Sequence, residues 1–457
     1  MARKKIALLP AADRIAYGKQ LRDKVTRDSH AAWSPDRKTR TDPLEILEAT
    51  DKGRIKELLP IRYGRMQASP FAFFRGAAAV MAADLARTPR TGIGVQACGD
   101  CHLANFGGYE APDRRLIFAI NDFDETLPGP WEWDLKRLCA SLVVAARHND
   151  LRASQARAAA VACARGYRKR MSDLASKQGL EIWYMGIDVR EAIGWFASTA
   201  ARDFKRRLEK AAADGISEDD YPRLAVLKDG APRIRDDKDV VYHPRGTART
   251  AFERNAREAF DAYRKTLTDD RRRLLDRYTP ADIAQKTAGV GSTGTWCGIV
   301  LLTAGKEDPL FLQIKEARAS VLEAHLQRSE YRSRGQRVVM GQRVMQVDSD
   351  PFLGWTVGPS GRHYYVRQLR DPKVKPLVED IDAGTLELYG AFCGWALALA
   401  HARSGDAALI AGYLGNGSAF DKAMGTFAEQ YAGQNERDHA ALRKAIADGR
   451  IEARDEE

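Results

Sequence analysis

Two short polar stretches, each set at the end of an apolar run, constrain this chain more than any other feature. Thr91 to Ala97 leads into Gly99-Asp100-Cys101-His102-Leu103-Ala104-Asn105, and Leu116-Ile117-Phe118-Ala119-Ile120 leads into Asn121-Asp122-Phe123-Asp124. Both runs predict short buried strands that deliver polar loops. The residue types in those loops point to one chemistry. A carboxylate at Asp100 suits acceptance of a hydroxyl proton, and the Asn105 amide oxygen with the Asp122 carboxylate suits a divalent ion. Together they fit metal-dependent phosphoryl transfer. Asp124 is a further candidate metal ligand, whereas Glu125 beside it is assigned no metal role.

The same stretch carries a decoy, because Cys98-Gly99-Asp100-Cys101-His102 also fits covalent haem attachment. Attachment of that kind needs export, and Met1-Ala2-Arg3-Lys4-Lys5 is followed only by the short apolar run Ile6 to Pro10. Cys139, Cys163, Cys297 and Cys393 are scattered singly and supply no second close pair for zinc. Reduced thiols in a packed loop are the simpler reading, with the cytoplasm as the expected compartment.

A chain of 457 residues exceeds the usual single core, so two lobes are expected. The excess of 73 Lys and Arg over 62 Asp and Glu gives a net charge of +11, which favours anionic ligands. Basic residues alternate with acids, as in Arg202 to Lys210, and no nucleic-acid signature is found, so no specific nucleic-acid partner is expected. The apolar runs Ala77 to Ala82 and Trp395 to Ala400 are short and read as buried helix, so no membrane partner is expected either.

Residues 1–45 read as an N-terminal arm, and residues 46–279 as a helical lobe that carries both polar loops. Ser69 and Pro70 predict a helix start, and Asp134 to Arg147, Ser154 to Ser176, Glu191 to Ala213 and Ala251 to Tyr278 read as further helices. Residues 280–380 read as a small β-rich lobe, and residues 381–457 as helices that pack back on the first lobe. Within the small lobe, Gly289-Val290-Gly291-Ser292-Thr293-Gly294 precedes strands at Thr295 to Thr303 and Pro309 to Lys315. A helix at Glu316 to Leu326 and strands at Gln336 to Val347 and His363 to Leu369 complete it. A strand after the glycines, rather than a helix, sets the loop apart from a dinucleotide crossover. Lys315 closes the next strand, where its ammonium reaches nucleotide phosphates while a carboxylate holds it. Glu323 is the first choice for that partner, with Glu316 and Glu330 as rivals. Arg337, Arg343, Arg367 and Arg370 recur along expected strands and are candidates for an anionic substrate or for carboxylate partners.

The Gly99 to Asn105 loop resembles the GDxHxxN loop of aminoglycoside and choline kinase-like phosphotransferases. Ile120-Asn121-Asp122-Phe123 resembles their metal-binding strand end, and Trp133-Asp134-Leu135 their next helix start, whose Asp braces the catalytic loop. The resemblance implies Asp100 as base, Asn105 and Asp122 as metal ligands, Gly289, Gly291 and Gly294 as phosphate cover, and Lys315 as phosphate anchor. It implies ATP and Mg2+ as cofactors and an α+β, protein-kinase-like two-lobe fold, with a mostly helical large lobe and a small antiparallel-sheet lobe. The order is inverted, since the glycine loop follows Asp100 by about 190 residues. A circular permutation is therefore implied, in which the helix Leu386 to Ala402 ends beside Gln96 to Asp100. From about Ile46 to Ala447 the chain also resembles a bacterial family known as domain of unknown function 2252. The matching segments are Ser69 to Gly76, Asn121 to Thr126, Gln313 to Ala317 and His401 to Asp406. That likeness implies a shared fold without naming a reaction. The expected activity is Mg-ATP-dependent phosphotransfer to a small molecule or a protein. Nucleotidyl transfer from the same site, or nucleotide binding by a scaffold without turnover, are the alternatives.

Overall fold

The computed structural model of the protein describes residues 8–33, 39–192, 206, 225–228, 231–237, 241–244, 246–286, 291, 293–305, 308–369 and 378–454. The fold is mixed α+β with antiparallel sheets.

Ser69 caps the first helix of interest by accepting the Ala72 N–H at 3.1 Å, and Pro70 occupies the first turn, where a missing N–H costs nothing. This helix, Pro70–Gly76 (α1), breaks at Ala77 and gives way to Ala78–Leu85 (α2). Four longer helices follow the apolar spacing of their sequences: Trp131–His148 (α3), Ala153–Leu174 (α4), Ala383–Ala402 (α6) and Ala419–Ala447 (α8), with the shorter Ala407–Leu414 (α7) between the last two. They share one core that includes Trp131, Leu138, Tyr167, Phe392, Tyr413 and Phe427. Helices α4 and α6 approach so closely that a Cβ at Gly166 would overlap the Ala391 carbonyl, and one at Gly394 would overlap that of Cys163. Helix α6 is long and apolar enough by length and composition to cross a membrane, yet most of it is buried inside the protein.

The second unit is a six-stranded antiparallel sheet. Its strands are β7 (Val241–Tyr242), β8 (Thr279–Lys286), β9 (Cys297–Thr303), β10 (Pro309–Glu316), β11 (Gly354–Val357) and β12 (His363–Gln368), in the order β11-β12-β10-β9-β8-β7. Three two-stranded ladders complete the β-structure: β1 (Gly94–Ala97) with β4 (Leu127–Pro130), β2 (Phe106–Glu110) with β3 (Leu116–Ile120), and β5 (Ala225–Lys228) with β6 (Ala231–Ile234).

Three expectations fail in the sheet unit. Gln336 to Val347 is not a strand but a helix, Arg334–Met345 (α5), whose start Ser333 caps by accepting the Gln336 N–H. Its β-branched Val338 and Val339 mimic a strand, but they are buried together with Arg337, Gly341, Gln342 and Met345, which is helical spacing. Glu316 to Leu326 is not a helix. The strand runs on through Glu316, and only a single tight turn forms at Val321–Ala324. Ala251 to Tyr278 divides into two helices, Thr247–Arg264 and Asp269–Leu275, the second entered from an extended Thr268. The helix expected at Glu191 to Ala213 lies almost wholly outside the described residues.

Candidate active site

The Gly99 to Asn105 loop leaves β1 where Ala97 pairs with Leu127 of β4. Gly99 adopts φ +85°, and a Cβ there would overlap the Glu125 carbonyl, so only glycine fits. Asp134, in the first turn of α3, accepts the Cys98 N–H at 2.6 Å and the Gly99 N–H at 3.0 Å. The brace extends further, because His401 Nε2 meets Asp134 Oδ2 at 3.1 Å and His401 Nδ1 meets the Tyr167 hydroxyl at 2.9 Å. All three residues are buried. Ser404 Oγ, just beyond α6, accepts the Gln96 N–H at 2.7 Å. The segment just beyond α6 therefore meets Gln96 directly, and α6 itself reaches Cys98 and Gly99 through Asp134.

Asp100 stands on this brace. Its Oδ1 accepts two hydrogen bonds from the buried guanidinium of Arg137, with Nε at 2.7 Å. Arg137 in turn lies over the Phe74 ring and donates to the Phe74 carbonyl at 3.0 Å, which ties α1 to the loop. Burial pushes the Asp100 carboxyl up against the opposing pull of Arg137, and the neighbouring charge of Asp122 adds to the rise. Asn105 donates Nδ2 to the Asp100 carbonyl at 2.8 Å, leaving Oδ1 without a hydrogen bond among the described residues.

Asp122 follows β3. Its Oδ1 accepts the Asp124 N–H at 3.1 Å, and Oδ2 accepts no hydrogen bond among the described residues. Asn105 Oδ1 and Asp122 Oδ2 are thus two hard oxygen donors of the kind that could hold a divalent ion. Among the described residues no group of three or more His, Cys, Asp and Glu is arranged to hold a metal by itself.

Asp124 does something else. Its Oδ2 pairs with Lys315 Nζ at 2.6 Å and its Oδ1 accepts from the Tyr365 hydroxyl at 2.7 Å. Burial alone would raise this carboxyl, but Lys315 and the Tyr365 hydrogen bond hold it down at about 2. Burial disfavours the Lys315 ammonium, but Asp124, Tyr365 and Asp122 together outweigh that cost and hold it well above the ordinary lysine range. It faces Tyr365 in the β10–β12 register, and Arg367 lies two residues further along that strand with its guanidinium 6.0 Å from the centre of the Tyr365 ring.

The partner expected for the lysine is therefore corrected: it is Asp124, not a glutamate. Glu323 closes a capping box with Ser320 and lies 4.0 Å from Arg337. Glu316 accepts the Trp296 N–H at 3.0 Å and pairs with Arg362 at 2.9 Å, while the charge of Glu330 acts on its neighbour Tyr331. Helix α5 offers no carboxylate at all. Its Arg337, expected on a strand, instead donates to the carbonyls of Thr126, Asp124 and Arg318. Arg343 donates to the Leu353 carbonyl, Arg367 to Gln313 and to the Asn121 carbonyl, and Arg370 lies outside the described residues. Arg403 donates to the carbonyls of Met345 and Met185, and Asp406 caps α7 and pairs with Arg14.

Of the glycines, Gly289 lies outside the described residues. Gly291 lines the cleft, and its carbonyl accepts from Arg54 at 3.1 Å. Gly294 adopts φ +85° and its carbonyl accepts the Ile55 N–H at 2.8 Å. Arg54 also donates to the Thr293 carbonyl, so the end of the glycine loop is held by the segment before α1. Burial, with Arg62 and Arg318 as neighbouring charges, pushes the Arg54 guanidinium down to about 9.

Asp100, Asn105, Asp122, Asp124, Gly291 and Lys315 all line one cleft of about 990 Å3, counting its open mouth. The residues missed in the sequence are Arg137, Tyr365, Arg75 and Glu125. A helical spacing of three places Arg137 on the Asp134 face of α3, and strand alternation places Tyr365 with Arg367, so both had a signal. Glu125 lines the cleft with its carboxylate accepting the Val321 N–H at 2.7 Å, and burial pushes it up to about 7.

No curated protein and no solved structure matches the chain. A family model does match residues 54–445, that of the uncharacterized protein conserved in bacteria designated DUF2252, and the chain belongs to this family.

Proposed function

We propose that the protein is a Mg-ATP-dependent phosphotransferase with a circularly permuted, protein-kinase-like arrangement of its lobes. One observation carries this reading: Asp100, Asn105 and Asp122 share a cleft with Lys315 and Gly291, although about 190 residues separate the two groups. In protein kinases a glycine-rich loop covers the phosphates, the lysine follows on the third strand, and a helix comes next. Here the glycine segment joins β8 to β9, Lys315 lies on β10, and α5 follows. The bond from Gln96 to Ser404 and the link from His401 through Asp134 to Cys98 and Gly99 support the permutation, because they join the end of α6 to the loop that would follow it in unpermuted order.

In this reading Asn105 and Asp122 hold Mg2+, which supplies neutralising charge at the phosphates. Lys315 anchors the phosphates by exchanging part of its bond to Asp124. Asp100 orients the acceptor hydroxyl and takes its proton at Oδ2, since Arg137 occupies Oδ1. The acceptor is a small molecule or a protein. Incubation with ATP labelled at the γ or the α phosphate tests the reading. Formation of ADP with loss of the γ label, abolished by Asp100→Asn, supports phosphoryl transfer. Release of pyrophosphate would replace it with nucleotidyl transfer, and no turnover with any acceptor would leave a binding scaffold.

A further inference from the structure

Arg75, the penultimate residue of α1, has no part in the site as described so far. It lines the cleft, yet its Nε is buried with no hydrogen-bond partner. Among the described residues its side chain makes no hydrogen bond or ion pair. Arg75 is half-buried, and a guanidinium with its Nε buried and unpaired is left available to a ligand that completes it. The other arginines of the cleft are occupied: Arg54 and Arg318 donate to backbone carbonyls, and Arg62 pairs with Asp51 at 2.6 Å.

Its position is set from two sides. The residue before it, Phe74, gives its carbonyl to Arg137, the same guanidinium that holds Asp100. Arg75 is also one of the charges that act on the Asp100 carboxyl. On the other side, a Cβ on Gly291 of the glycine segment would sit 3.5 Å from the Arg75 carbonyl. Arg75 thus lines the cleft close to both the base and the glycine segment.

Resting on the phosphotransferase reading, we propose that Arg75 is a catalytic residue that grips the transferring phosphoryl group, an arginine finger supplied from within the chain. In the transfer, the bond from the γ-phosphorus to the oxygen of ADP breaks as a bond to the acceptor oxygen forms. The acceptor proton passes to Asp100, and Arg75 forms and breaks no covalent bond. Its bidentate fork matches the equatorial oxygens, whose charge it stabilises.

Thermal shift on the whole chain with MgADP, and with MgADP plus aluminium fluoride as the phosphoryl mimic, tests this. The wild type is expected to gain stability with MgADP and a further increment with the fluoride. Arg75→Ala should keep the MgADP shift and lose the fluoride increment, with ATP hydrolysis about 10³-fold slower. Arg75→Met, which keeps the apolar stem, carries the same test if the alanine variant does not fold. An unchanged fluoride increment in either folded variant would overturn the inference alone, as would loss of the MgADP shift itself. A wild type blind to MgADP would overturn the phosphotransferase reading and the inference together.

Discussion

The two walls of the cleft are built in opposite ways. On the wall that carries Asp100, backbone N–H groups of Cys98 and Gly99 are bound by Asp134, which His401 and Tyr167 lock in turn. Every member is buried, so the loop has no alternative partner in water. The sheet wall instead meets its opposite through the Asp124 carboxylate, which holds Lys315 and Tyr365. A polyanion can compete for that lysine without breaking any backbone hydrogen bond of the first wall. The comparison teaches a division of labour: one wall fixes geometry, and the other offers charge that a ligand can claim.

Four substitutions break or sharpen this contrast, in decreasing order of effect. Asp100→Asn removes the proton acceptor while keeping a hydrogen-bonding oxygen for Arg137. It should slow transfer by about 10²- to 10⁴-fold in a single-turnover assay and leave the MgATP-induced thermal shift in place. Asp134→Ala strands two buried N–H groups and His401. It should cost about 3 kcal/mol of stability, read as a lower denaturant midpoint. If the cost were no larger than that of an exposed Asp, the rigid-wall description would be wrong.

Glu125→Gln tests through pH the charges where the two walls meet. The folded carboxyl, at about 7, lies above its ordinary value of 4.5, so the folded state binds more protons between these values. Stability contributed by this group is therefore present below the ordinary value and lost as pH rises through about 7. Unfolding curves of the wild type should show that decline, and those of Glu125→Gln should be flatter over the same window. The smallest effect is expected from Glu323→Gln, because Glu323 caps a turn and does not touch Lys315. A stability loss of at most about 1 kcal/mol and unchanged MgATP affinity are expected, checked by calorimetry.

Much of the first wall was legible in the sequence, because its chemistry is local. Asp100, Asn105 and Asp122 lie within one short stretch, and each occupies a strand end or loop that apolar runs announce. The brace from Asp134 was implied by the resemblance of Trp133 to Leu135 to the helix start of kinase-like phosphotransferases. The second wall was less legible because its pairings span the chain. Lys315 and Asp124 are 191 residues apart, and no local spacing distinguishes Asp124 from Glu316, Glu323 or Glu330 as the partner. The mistaken strand at Gln336 to Val347 compounds this. Its β-branched pair masked a helix whose buried face carries Arg337 and which offers the lysine no carboxylate.

Binding of MgATP by calorimetry to the wild type, Asp122→Asn and Lys315→Met is the most direct test that the two walls form one nucleotide site. Magnesium-dependent binding that both substitutions weaken at least tenfold is the expected result. No binding to the wild type, or binding that neither substitution alters, would contradict it.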